Sequence, residues 1–144
     1  MKILVLNGPN LNLLGRREPA IYGTATYDDL KAAVRRHAAE RGVEVEIRQS
    51  NHEGDLVDWI GEAIGRFDGI VLNPAAYTHT SVAILDAVLA AGIPTVEVHL
   101  SDLTKREPFR QTSYVRAACI ATVMGHGIAG YTEAMDILVG TGKR

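Results

Sequence analysis

The sequence predicts one α/β domain: a five-stranded parallel sheet with helices on both faces. Three observations carry this. Short, wholly apolar runs such as Ile3–Leu6 and Gly69–Leu72 mark strands buried on both sides. Stretches with helical spacing alternate with them, and the connections are short, with no linker, repeat or low-complexity segment. At 144 residues, 47% hydrophobic and 22% charged, the chain has the length and composition of one globular domain.

Taken in order, Ile3–Leu6 is the first strand. Thr26 to Arg41 reads as a helix: Thr26 is an N-cap with Asp29 three residues on, Leu30, Val34 and Ala38 line one face, and Gly42 stops it. Val43–Ile47 alternates apolar with Glu44 and Glu46, as an edge strand with one polar face should. Asp55 to Arg66 is expected to be helical, with Leu56, Ile60 and Ile64 on its buried face. Gly69–Leu72 is the third strand, Thr80–Ala91 a helix closed by Gly92 and Pro94, and Thr95–His99 the fourth strand. Arg116–Val123 fits helix or strand, and its alternating rhythm favours a fifth strand. Thr132–Val139 closes the series as a helix. Five strands in this length suggest the flavodoxin-like three-layer sandwich with order 2-1-3-4-5.

Several function classes recede at once. A net charge of −2 and the lack of a basic run give no reason to expect nucleic acid or an anionic membrane as partner. The apolar run after Lys2 ends at Asn7-Gly8-Pro9-Asn10, too short for a signal-peptide core, and no stretch is long enough to span a bilayer, so the expected location is cytoplasmic. Cys119 is the only cysteine and is read as core packing within Ala117–Ala121. His37, His52, His79, His99 and His126 are too scattered to suggest a metal site.

In such a sheet, ligands bind beyond the carboxyl ends of the strands, at the switch point between strands 1 and 3. Strand 1 runs into Asn7-Gly8-Pro9-Asn10, strand 3 into Asn73-Pro74-Ala75-Ala76-Tyr77-Thr78-His79, and strand 4 through Glu97 and His99 into Leu100-Ser101. Three polar strand ends converging on one crevice point to a site. Its common occupants can mostly be dismissed. Neither a dinucleotide fingerprint nor a P-loop follows any strand. Asn10 and Asn73 stand where a phospho-receiver needs acids, and Leu11-Asn12-Leu13-Leu14 is too apolar for a flavin phosphate loop. Glu97 and His99, two apart on a strand, share a face, so the carboxylate can orient and charge the imidazole. The plainer alternative is a structural pair at a strand end.

The segment Gly15–Gly23 shows no helical or strand period and reads as a lid. It carries Arg16, Arg17 and Tyr22, the tyrosine bracketed by Pro19 and Gly23. Two arginines alone would suit a solvated loop. Beside a tyrosine, guanidinium charge favours phenolate. Bringing a phenol from its usual pKa of about 10 to neutrality takes about 4 kcal/mol, within reach of one or two arginines in a dry site.

At these residues the sequence resembles the type II dehydroquinases. The run Asn7–Gly15 followed by Arg17-Glu18-Pro19 and Ile21-Tyr22-Gly23 is similar to that family's opening signature. The likeness continues through Gln49–Gly54, Leu72–Ser81, Val96–Ser101 and Glu107–Arg110, in order and nearly over the whole chain. It implies a lyase that dehydrates 3-dehydroquinate to 3-dehydroshikimate, in aromatic amino-acid biosynthesis or quinate breakdown, without cofactor or metal. It implies Tyr22 as the base, held as phenolate by Arg17; Asn10 as support for an enolate through a water; and His99, oriented by Glu97, as the acid that protonates the leaving hydroxyl. Asn73, His79, the backbone at Leu100, Ser101 and Arg110 would hold the substrate. Asp86 would reach a neighbouring subunit's site, in trimers assembled into a homododecamer. The four lysines, Lys2, Lys31, Lys105 and Lys143, are poorly placed for a Schiff base.

Three departures stand out: Leu85 where arginine is frequent, Thr112 where histidine is common, and Arg116 where serine is more usual. They are expected to affect subunit contacts and strand 5 rather than the chemistry. The competing reading, from another class, is a non-catalytic binding module that kept the crevice; the joint presence of Tyr22 and the Glu97/His99 pair argues against it.

Overall fold

The computed structural model of the chain describes residues 1–16 and 18–142, with the backbone alone for Pro19 and Tyr22. Its strands are β1 (Lys2–Asn7), β2 (Glu44–Gln49), β3 (Gly69–Asn73), β4 (Thr95–His99) and β5 (Ala121–Met124). The helices are α1 (Pro19–Tyr22), α2 (Tyr27–Arg41), α3 (Glu53–Glu62), α4 (Val82–Ala91) and α5 (Ala129–Gly142). The strands are parallel and ordered β2-β1-β3-β4-β5, as the alternation of elements predicts.

Period-two alternation divides the sheet's side chains between two cores. Ile3, Val5, Val71, Val96 and Val98 pack with Leu30, Val34 and Ala38 of α2 and with Tyr131, Ala134, Met135 and Leu138 of α5. Leu4, Leu6, Ile70 and Leu72 point the other way, onto Leu56 and Ile60 of α3 and Ile84 and Val88 of α4. β2 is an edge, which explains its polar alternation.

The helix ends follow local chemistry. Thr26 Oγ1 accepts from the amide of Asp29 while the Asp29 carboxylate accepts from the amide of Thr26, a full capping box, and Gly42 ends α2 in the left-handed region. α4 starts two residues later than expected because Ser81 caps it, accepting from the Ile84 amide at 2.9 Å. α3 starts earlier and ends sooner than its periodicity suggests. Ser50 Oγ accepts from the His52 amide and donates to Asp55, fixing the entry, and the chain turns through Gly65 at φ 76° to re-enter the sheet. Ile64 therefore does not extend the buried face; it is 57% exposed. α5 is longer than Thr132–Val139 at both ends.

Two further expectations need correcting. Arg116–Val123 is not one strand: Val115–Ala118 forms a 3-10 turn and only Ala121–Met124 joins the sheet. The turn lets Val115 enter the α3/α4 core while Arg116 reaches the sheet beside it. Cys119 consequently lies half-buried, its thiol donating to the Val115 carbonyl at 3.3 Å, and its flanking Ala117 and Ile120 are exposed. In the Gly15–Gly23 segment, Pro19–Tyr22 forms a single helical turn where none was expected. Proline's fixed φ suits the first helical position, and Gly23 at φ 80° ends the turn.

Just beyond β1, Gly8 is packed tightly against the end of β3. Its amide donates to the Asn73 carbonyl at 2.8 Å, and a Cβ there would lie 2.4 Å from the Pro74 carbonyl oxygen. Because the obstacle is backbone, Gly8→Ala must push the two strand ends apart. It should cost about 1–3 kcal/mol, seen as a lower urea midpoint with an unchanged slope.

Candidate active site

Beyond the carboxyl ends of β1, β3 and β4 lies a cleft open to solvent, where this fold class places its ligands. Pro9, Asn10, Leu11 and Leu14 come from the segment after β1; Asn73, Ala75, Ala76 and His79 from β3 and its loop. His99, Leu100, Ser101, Leu103, Arg106 and Arg110 complete it from β4 onward. The structure thus brings together seven of the expected site residues: Asn10, Asn73, His79, His99, Leu100, Ser101 and Arg110. Glu97 stands behind His99. Asp86 does not line the cleft; it is exposed on α4. Arg17 and the side chain of Tyr22 lie outside the described residues.

The loop after β1 is pinned by residues whose roles the sequence did not disclose. Asn10 takes a left-handed conformation at φ 70°, which asparagine tolerates, and its amide donates to Asn51 Oδ1 at 3.0 Å. Gln49 donates both to that oxygen and to the Gly8 carbonyl, while the Tyr77 hydroxyl donates to the Asn51 carbonyl at 2.8 Å. Beneath them, the buried Tyr131 hydroxyl donates to Asn7 Oδ1 at 2.7 Å and accepts from Asn73 Nδ2 at 2.8 Å. Asn73 Oδ1 accepts from the Ala75 amide, so this side chain has one orientation.

The cleft wall is cationic, and no Asp or Glu is among its described lining residues. Arg106 donates to Ser101 Oγ at 3.2 Å, and Arg110 Nε to Glu107 Oε2 at 2.9 Å. His79 Nδ1 donates to the Thr112 carbonyl at 2.8 Å, which fixes the tautomer and leaves Nε2 as the other ring nitrogen. Arg106 went unnoticed in the sequence; its place in the loop after strand 4, one residue before the recognised Glu107–Arg110 stretch, was the available signal.

His99 and Glu97 form the centre. Side chains two apart on β4 share a face, and Glu97 Oε2 meets His99 Nε2 at 2.5 Å. His99 is 4% exposed and Glu97 wholly buried. With Nε2 turned to the carboxylate, Nδ1 is the ring nitrogen that can address a ligand. Glu97 also accepts from Ser113 Oγ at 2.6 Å, Thr78 Oγ1 at 3.2 Å and Thr122 Oγ1 at 3.1 Å, the last from its register neighbour on β5. Arg116 Nε donates to Oε1 at 2.9 Å. Arg116 therefore does not stand apart from the chemical positions, as the sequence suggested; the 3-10 turn delivers it to this carboxylate. Burial by itself pushes the Glu97 carboxyl up, but the hydrogen bonds from His99, Arg116 and Ser113, with the charge of His99, overcome it and hold the group at about 2.

Among the described residues no three His, Cys, Asp or Glu side chains gather to hold a metal ion, and no helix is long and apolar enough to cross a membrane. The cleft combines an oriented imidazole, a wall with two arginines and fixed amides.

Comparison with known proteins places this architecture. The sequence model described as dehydroquinase class II matches residues 1–139. The 3-dehydroquinate dehydratase of Geotalea daltonii is 56% identical over 131 residues, covering 91% of each chain. That of Corynebacterium glutamicum is 54% identical over 142 residues, covering 99% of this chain and 98% of the relative. The crystal structure of type II dehydroquinase from Butyrivibrio crossotus superimposes with a TM-score of 0.95 at 47% identity, over 96% of this chain and 97% of that one. The chain belongs to the class II dehydroquinase family, a family of enzymes.

Because folding lowers the Glu97 pKa from 4.5 to about 2, its ionised form stabilises the fold fully above pH 4.5. That contribution, about 3 kcal/mol, drains away as pH falls toward 2. Urea unfolding should show wild type losing stability across this window more steeply than Glu97→Gln.

Proposed function

We propose that the protein is a 3-dehydroquinate dehydratase that forms 3-dehydroshikimate and water, in aromatic amino-acid biosynthesis or quinate breakdown. The observation that carries the chemistry is the buried Glu97–His99 pair facing a cationic cleft. A base takes a proton from the carbon beside the substrate ketone, and the electron pair moves onto the ketone oxygen as an enolate. As the enolate collapses, the ring carbon–carbon double bond forms, the carbon–oxygen bond to the leaving hydroxyl breaks, and His99 supplies the proton that makes it water. Glu97 holds the ring and stabilises its charged form.

Tyr22 is the base in this reading, with Arg17 favouring its phenolate. Two other tyrosines near the switch point are poor alternatives, since burial pushes the phenols of Tyr27 and Tyr131 upward. Asn10 supports the enolate through a water. Asn73, His79, the Leu100 backbone, Ser101 and Arg110 hold the substrate's hydroxyls and carboxylate, and the cationic wall suits a carboxylate ligand. No metal or cofactor has a part in these steps.

Asp86 acts in a neighbouring site of a homododecamer. It lies on α4 between Val82 and Leu89, both exposed, at a spacing that places all three on one outward helix face. An apolar strip around a carboxylate is what a subunit interface would cover. The enzyme is taken to work in the cytoplasm.

Purified protein mixed with 3-dehydroquinate should develop the absorbance of a conjugated enone. Tyr22→Phe should abolish turnover while leaving product affinity within a few-fold, and His99→Ala should lower kcat by at least about a hundredfold. Near-normal turnover in either variant would move that role elsewhere; no enone with wild type would refute the activity. Sedimentation should find a dodecamer that Asp86→Ala leaves assembled but slower.

A further inference from the structure

Glu97 is bridged between an imidazole and a guanidinium. His99 Nε2 lies 2.5 Å from Oε2, while Arg116 reaches Oε1 through Nε at 2.9 Å and Oε2 through its terminal nitrogen at 3.4 Å. The carboxylate has no exposed surface, whereas the Arg116 side chain keeps 37% of its own. The guanidinium thus enters from the protein surface and remains partly hydrated, so its desolvation cost is limited, while its charge meets an anion with no access to water.

We infer that Arg116 is a positioning residue for the dehydration, holding Glu97 ionised and aimed at His99 both before and after the imidazole gives up its proton. This rests on the reading of His99 as the acid. Were His99 the carboxylate's only cation, each proton delivery would leave a buried negative charge uncompensated, and that penalty would oppose the transfer. An arginine does not deprotonate, so it compensates Glu97 throughout the cycle and makes His99 a readier donor. The hydroxyls of Thr78, Ser113 and Thr122 also bind Glu97 but carry no charge. The other ionisable group beside it, Cys119, is held neutral: burial first, then the Glu97 charge, push its thiol up to about 12, against a smaller opposing effect of Arg116. Across the cleft stand His79, Arg106 and Arg110, which every variant below retains.

Arg116→Gln keeps a hydrogen-bond donor and removes the charge; Arg116→Lys keeps the charge with fewer contacts. In the free protein, the NMR titration of the Glu97–His99 pair, read on the imidazole carbons, should move to higher pH by about one pH unit in Arg116→Gln. It should return most of the way in Arg116→Lys. With 3-dehydroquinate, kcat should fall about tenfold in Arg116→Gln, with KM within a few-fold, and recover in Arg116→Lys. An unmoved titration in folded Arg116→Gln overturns the inference, as does a moved titration with unchanged kcat. If Arg116→Gln does not fold, Arg116→Ser, a smaller neutral side chain at this partly exposed position, carries the same test: its midpoint should rise by a similar amount, and no shift overturns the inference. The titration needs no turnover. An active His99→Ala would refute the role of His99 while leaving the titration to judge the electrostatic link.

Discussion

A carboxylate with no exposed surface must find its hydrogen bonds and counter-charge inside the protein, and Glu97 imposes that demand on four separate segments. Its own strand supplies His99, the loop after β3 supplies Thr78, β5 supplies Thr122, and the stretch between β4 and β5 supplies Ser113 and Arg116. Isolated burial of such a charge would be prohibitive; shared among six contacts it becomes a fixed point. The parallel register places Thr122 beside Glu97, and the 3-10 turn after Tyr114 brings in the guanidinium. Much of what looks irregular in the second half of the chain is arranged around one acidic side chain.

The sequence was most readable where structure is local. Apolar runs gave the strands, the capping box and Gly42 gave α2 almost to the residue, and the alternation of elements gave the sheet order. The switch-point rule led to the right strand ends, and seven named residues line the cleft. What escaped was set by partners distant in the chain. Ile64 continues the helical spacing of Leu56 and Ile60, yet the chain must turn at Gly65 to reach β3. Arg116 sits in an apolar stretch whose rhythm resembles a strand, and only the placement of Glu97 explains its turn. Leu85 has no contact in the structure that explains it. Thr112 contributes a backbone carbonyl to His79, a contact indifferent to its side chain.

The two ends of the site are built on different principles. On the β4 side, charge fixes the groups: carboxylate, imidazole and guanidinium hold one another. On the β1 and β3 side, neutral amides and a phenol do the same work, with Asn7, Asn73, Asn51 and Gln49 each bonded in one orientation. Among the described residues no buried side-chain nitrogen or oxygen lacks a partner, so the floor offers few alternative arrangements to an arriving ligand.

Tyr131 belongs to α5, yet its hydroxyl joins Asn7 and Asn73, which precede it by 124 and 58 residues. During synthesis both asparagines leave the ribosome long before their clasp exists, and each can hold only its nearer partner, the Ala75 amide for Asn73 and the Arg48 carbonyl for Asn7. The β1, β2 and β3 strands can pair in the meantime without creating a competent floor. The docking of α5 then ties the two amides to each other through one hydroxyl, so the floor is complete only once this helix has packed onto the sheet.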